Sequence, residues 1–187
     1  DCVDAINSIF NTADNPDDVE VLIAIDDDDE YYCDTLKPME HDNLHIVVGP
    51  KIGLGYPSLH LYLQKLAQLR SNKSKWILPF NDDARMMSSG WDSVIGEYDD
   101  QFVVLKSLSN RAVFPDGRQV GSDADLCFPF IPSKWMDIVG HLSGHMCYDT
   151  WITDVAKGLN ILIDEPRFQI FHHVIYNEEV LSNLLPL

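Results

Sequence analysis

The feature that most limits how this chain can fold is a short apolar run, Trp76–Phe80, that ends abruptly in Asn81-Asp82-Asp83. The run is too short for a helix and does not alternate. It therefore reads as a strand buried on both faces, as in a largely parallel sheet covered by helices. Carboxylates do not follow a strand into a core, so they mark its C-terminal tip. In open α/β sheets ligands bind outside the carboxyl ends of the strands. Asp82 and Asp83 lack an obvious cationic neighbour in sequence, which points to a bound divalent cation.

The same grammar appears upstream. Val19–Ile25 is rich in β-branched residues, reads as a buried strand, and runs into Asp26-Asp27-Asp28-Asp29-Glu30. Asp28 to Glu30 read as a solvated loop. Asp26 and Asp27, at the strand tip, stand where a ribose or base is hydrogen-bonded in such sheets. His45–Val48 is a further short strand, followed by Gly49-Pro50-Lys51-Ile52-Gly53-Leu54-Gly55. Glycines ahead of a helix let the backbone approach a phosphate, and Lys51 adds charge. The spacing matches neither a P-loop nor G-x-G-x-x-G, and a flexible loop reads equally well.

Between these strands lie helices. Val3, Ile6, Phe10 and Ala13 share one face over residues 1–13. Pro57–Arg70 carries a stripe of Leu59, Tyr62, Leu63, Leu66 and Leu69, read as core. Tyr31–Asn43 reads as loop, with room for a helical turn. Ser88–Asp92 opens a short helix to Glu97, and Phe102–Leu105 is a strand. Asn110–Asp125 is crowded with turn formers and reads as a mobile functional loop. Apolar Cys127–Ile131 precedes a helix over Lys134–Gly140. Asp149 lies in the first turn of a helix that buries Ile152, Val155, Ala156 and Leu159, where an acid also suits the helix dipole. Asn160–Ile163 and Phe168–Phe171 are strands, the second ending in His172-His173, and 174–187 reads as a partly helical tail. No repeat or boundary divides the chain, so one domain is expected. Because a helix at residue 1 is unusual for this class, a first strand is expected to be missing through N-terminal truncation.

Composition narrows the functions. The 187 residues hold 30 Asp and Glu against 13 Lys and Arg, a net charge of −17. Such a field repels polyanions and argues against nucleic-acid binding. There is no apolar run of membrane-spanning length and no secretory signal, and the four cysteines lack C-x-x-C spacing, so free thiols in the cytoplasm are expected. His141 and His145 have metal-ligand spacing on a helix, but Gly144 argues against one there and H-E-x-x-H is absent.

Taken in order, these features resemble GT-A-fold glycosyltransferases of the family 2-like group. The resemblance runs over most of the chain and rests on four places. Ala24-Ile25-Asp26-Asp27 resembles the acidic turn that holds the nucleoside. Asn81-Asp82-Asp83 resembles the DxD motif, followed by Gly90-Trp91-Asp92. Tyr148-Asp149 resembles the Glu-Asp pair that carries the catalytic base. His172-His173 resembles the late histidine that completes the metal site. Asn81 departs from the first Asp of DxD and Tyr148 from the Glu of the pair.

The resemblance implies a Rossmann-like mixed sheet flanked by helices, and transfer of a sugar from a nucleotide-diphosphate donor to a glycan or other hydroxyl acceptor. Asp83 with His172 or His173 would hold Mn²⁺ or Mg²⁺. Asp26, Asp27, Lys51, Gly53 and Asp82 would bind the donor, and Asp149 would be the base of an inverting displacement. Two alternatives stand beside it: a nucleotidyltransferase on a similar fold, and a catalytically silent nucleotide-sugar or glycan-binding domain.

Overall fold

The computed structural model describes residues 2–53, 56–110 and 128–172. The expected loop at Asn110–Asp125 falls almost wholly outside them, as do the 174–187 tail, His173 and Cys127.

Helix α1, Cys2–Thr12, leads through the Asn15-Pro16 turn into β1, Val21–Asp26. Helix α2, Glu30–Leu36, follows, then β2, Leu44–Gly49, which pairs parallel with β1. Helix α3 spans Leu59–Leu69. Strands β3, Trp76–Ile77, and β4, Ala84–Met86, flank the acidic turn, and α4 covers Trp91–Gly96. Strands β5, Val104–Asn110, and β6, Pro129–Pro132, precede helices α5, Lys134–Val139, and α6, Tyr148–Gly158, and β7 runs from Leu162 to His172.

The strands form two sheets. One is the β1–β2 pair. The other has the order β3-β6-β5-β7-β4, with β5 and β7 parallel and the other pairs antiparallel. The side-chain period of two places Val104 and Leu105, both fully buried, on opposite faces of β5. Leu105 joins Ile9, Trp91, Phe130, Phe168 and Ile170 on one side. Val104 joins Ile131, Trp135, Ile152 and Ala156 on the other. Phe130 stacks on Phe168 with ring centroids 4.2 Å apart, adding about 1 kcal/mol to the burial of either ring. A third cluster of Cys2, Ile6, Ile25, Leu36 and Leu44 seals α1 and α2 onto the β1–β2 pair.

Several expectations need correction. The apolar run Trp76–Phe80 is not a buried central strand: only Trp76 and Ile77 pair, at the edge of the larger sheet, and both are half-buried. Pro79 has no N–H to donate to a ladder, so the run cannot continue as a two-sided strand. Tyr31–Asn43 is more ordered than a loop, because α2 starts where the Asp29 side chain accepts the Tyr32 N–H at 3.2 Å. The acidic run therefore contains a helix cap as well as solvated residues. The two strands expected over 160–171 are one long strand, with an irregularity in its pairing to β5 between Lys106 and Leu108.

Gly90-Trp91-Asp92 is a clamp on α1. The Asp92 carboxylate accepts the Asp14 and Asn15 N–H groups at 2.8 and 2.7 Å, and Trp91 Nε1 donates to the Ile9 carbonyl. Burial works against the charge on Asp92, but these N–H donors outweigh it and hold its carboxyl below the usual range. Gly90 sits at φ +68°. A Cβ there would lie 2.7 Å from an Asp14 carboxylate oxygen.

Candidate functional site

The site begins in the Asn81-Asp82-Asp83 turn that leads into β4. Tyr148 opens α6 and donates its hydroxyl to Asn81 Oδ1 at 3.2 Å. That bond sets the amide, which turns its nitrogen toward His172 Nε2, also at 3.2 Å. Asp83 Oδ1 lies 3.1 Å from the same Nε2. An amide donor and a carboxylate acceptor thus converge on one ring nitrogen. With a lone pair the nitrogen accepts from Asn81; with a proton it donates to Asp83. His172 is placed by β7, where it stands opposite Ala84 of β4, and its ring meets Phe128 edge-on at 5.2 Å. The two departures from the family pattern, Asn81 and Tyr148, are bonded to each other.

Asp149 follows Tyr148 in the first turn of α6. Its Oδ1 accepts the Thr150 N–H at 2.7 Å, and it lines the same cleft as Asn81, Asp82, Asp83 and His172. Asp82 is exposed at the rim. Its charge reaches α1: burial first, then the negative charge of Asp82, raises the Cys2 thiol to about 11.

Asp26, which ends β1, lines the same cleft. Tyr62 of α3 donates its hydroxyl to Asp26 Oδ1 at 2.5 Å and accepts the Ile52 N–H at 2.7 Å. Burial, then the bond to Asp26, raises the phenol above its ordinary value. Lys51 Nζ stands 3.9 Å from Asp26 Oδ2, with its side chain more than half exposed. Asp27 is exposed and its N–H donates to the Gly49 carbonyl. Gly53, at φ +76°, could not carry a Cβ without meeting Ser58 Oγ at 2.0 Å, so the turn itself requires a glycine. Tyr62 escaped the sequence reading because it sits in an apolar stripe. Only the tertiary contact reveals its hydroxyl as the strut between β1 and the loop after β2.

Asp83 and His172 could together supply two ligands to a divalent cation. Two oxygen or nitrogen atoms about 3 Å apart are the separation of adjacent ligands around an ion bound at about 2.1 Å. The described residues hold no group of three or more His, Cys, Asp or Glu suited to a metal. A cation here would complete its shell with ligand oxygens and water, as Mg²⁺ commonly does. His141 and His145 lie in a bent segment rather than a helix, and His145 Nδ1 accepts the Cys147 N–H, so the two rings do not share a helical face. No described helix is long and apolar enough to cross a membrane, and Cys2, Cys33 and Cys147 are free.

No protein-family model matches the sequence, and no curated sequence does. Among solved structures, the chain is similar to the crystal structure of a 4-diphosphocytidyl-2C-methyl-D-erythritol synthase from Anaerococcus prevotii. The TM-score is 0.51 at 10% identity, over 97% of this chain and 82% of that one. At that identity the likeness speaks for the fold alone. The architecture is a mixed α/β fold of the Rossmann-like, nucleotide-diphospho-sugar-transferase type.

Proposed function

We propose that this protein is a transferase that takes a nucleotide-diphosphate donor at the strand tips and moves its sugar to an acceptor hydroxyl. The observation that carries this reading is the linked set Asp83, His172, Asn81 and Tyr148, which lines one cleft together with Asp149 and Asp26. Asp26 and Asp27, with Lys51 and the Gly53 turn, serve the nucleoside end of the donor, and Asp82 its ribose or sugar. Asp83 and His172 would hold Mn²⁺ or Mg²⁺, which when bound neutralises charge on the departing diphosphate. Asp149 takes the acceptor proton. The acceptor oxygen bonds to the anomeric carbon as the bond from that carbon to the phosphate oxygen breaks, and the configuration inverts.

A second reading is nucleotidyl transfer, and the likeness to a synthase whose named product carries a diphosphocytidyl group favours it. Attack by a phosphate oxygen on a nucleoside triphosphate needs no general base. Asp149 beside the tip is the feature that favours a hydroxyl acceptor and the first reading.

The test incubates the protein with nucleotide-sugars and with nucleoside triphosphates, each with Mn²⁺ or Mg²⁺, and measures released nucleoside diphosphate and pyrophosphate. Sugar transfer predicts diphosphate release and a metal-dependent rise in melting temperature. Asp83→Ala removes that rise. Asp149→Asn keeps it and lowers release by about 10²–10⁴-fold. Full transfer by Asp149→Asn would falsify the base assignment. Pyrophosphate release alone would establish the second reading, and binding without either product a silent donor-binding domain.

A further inference from the structure

We propose that Asn81 is a gate on the cation position. Its side-chain amide occupies the His172 nitrogen that a divalent cation would use, so Asp83 and His172 hold an ion together only after the Asn81–His172 bond opens. The inference rests on the assignment of Asp83 and His172 to a cation in the function proposed above.

The contest is at one atom. An imidazole nitrogen without a proton carries a single lone pair in the ring plane. Asn81 Nδ2 stands 3.2 Å from His172 Nε2, and Asp83 Oδ1 stands 3.1 Å from it. When Nε2 accepts the Asn81 N–H, that lone pair is engaged and closed to an ion. The amide nitrogen is no substitute ligand. Its own electron pair is delocalised into the carbonyl, and it presents to the ring a hydrogen, the positive end of the amide dipole. That end repels a cation.

Both sides of the gate are fixed by the fold. Tyr148, the first residue of α6 and 5% exposed, packs in the cluster around Trp135 and Ile152. Its hydroxyl donates to Asn81 Oδ1 at 3.2 Å. A phenolic proton is received by the carbonyl end of an amide, so Tyr148 turns the nitrogen end toward His172. His172 is 9% exposed, held on β7 opposite Ala84 and edge-on to Phe128. Asp83 differs, with 44% of its side chain exposed. Ions in solvent meet Asp83 first, and His172 joins when the amide gives way. Opening one neutral hydrogen bond lowers affinity about fivefold. Phosphate oxygens of a nucleotide outweigh that factor by adding ligands of their own, so ion and donor are favoured as a pair over a resident metal.

The gate also sorts ions. Mg²⁺ takes oxygen ligands, whereas imidazole suits transition ions. With the gate shut, Mg²⁺ and Mn²⁺ meet the same carboxylate. With it open, the added nitrogen favours Mn²⁺.

The test titrates the 187-residue chain with Mn²⁺ alone, reading free ion by electron paramagnetic resonance, and with Mg²⁺ in competition. Asn81→Leu keeps the size of the side chain and removes its donor and acceptor, and Asn81→Ala repeats the deletion without the branched side chain. Both should bind Mn²⁺ about fivefold more tightly than wild type, with Mg²⁺ affinity changed by no more than about twofold. In a His172→Ala background, Asn81→Leu should leave Mn²⁺ affinity unchanged, because the effect runs through that ring. If neither variant tightens Mn²⁺ binding, the proposal is overturned, as it is by equal tightening with and without His172. No Mn²⁺ binding by wild type or either variant overturns it too. Diphosphate release from a nucleotide-sugar would then still uphold the transfer reaction, so the two failures are told apart.

Discussion

Replacing Tyr62 by Phe removes one oxygen atom that holds two elements together. The hydroxyl donates to the Asp26 carboxylate at 2.5 Å and accepts the Ile52 N–H at 2.7 Å. A bond to a charged group contributes about 1.5–3 kcal/mol and a neutral one about 1 kcal/mol. Asp26 remains partly solvated, with 23% of its side chain exposed, so water takes over much of the first bond. The expected loss is about 2 kcal/mol, or roughly 30-fold in the opening equilibrium of the loop from Gly49 to Gly53. Native-state hydrogen exchange reads this directly at the Ile52 amide, which should exchange about 30-fold faster in the variant, while Ile25 in β1 is unchanged. The ring remains, so the packing of α3 is retained. An Ile52 amide that exchanges at the same rate in both proteins would refute the strut. The phenol supplies a second readout: Asp26→Asn should lower the Tyr62 pKa toward its ordinary value, because the neighbouring carboxylate is one of the causes that hold it up.

Gly90→Ala should cost about 2–3 kcal/mol in urea unfolding. Part of this is the left-handed backbone, about 1–2 kcal/mol, and the rest is displacement of the Asp14 carboxylate that accepts the Ser93 hydroxyl; a loss under about 0.5 kcal/mol would refute the clamp. Glu165 is buried beside Arg167, whose bonds, opposed by burial and aided by the Tyr98 hydroxyl, hold its carboxyl at about 2 instead of 4.5. A lowered carboxyl pKa stabilises the fold above the unfolded value. That contribution should fade as pH falls from 4.5 toward 2, and Glu165→Gln should lack this part of the acid profile. If wild type and Glu165→Gln lose stability in parallel over that range, the ion pair is not the cause.

Local pattern made the class of fold legible, and with it the placing of Asp26 at the tip of β1. The apolar run at Val19–Ile25, the amphipathic face of residues 1–13 and the Asp residues that stop each run are decided by neighbours in sequence. A buried strand excludes carboxylates, and a helix repeats every 3.6 residues, whatever the rest of the chain does. The strand break at Pro79 was also local, and the missing N–H could have demoted the Trp76–Phe80 run before any coordinates. Other features depend on contacts between distant residues. Asn81 meets His172 across 91 positions and Tyr148 across 67, and Asp26 meets Tyr62 across 36. No local period encodes such meetings; they follow from β7 pairing with β4 and from α3 packing beside β1. The same holds for the split sheet. The sequence marks Val19–Ile25 as a strand suited to burial, but only the pairing of its neighbours decides that β1, Val21–Asp26, joins β2 in a separate two-stranded sheet.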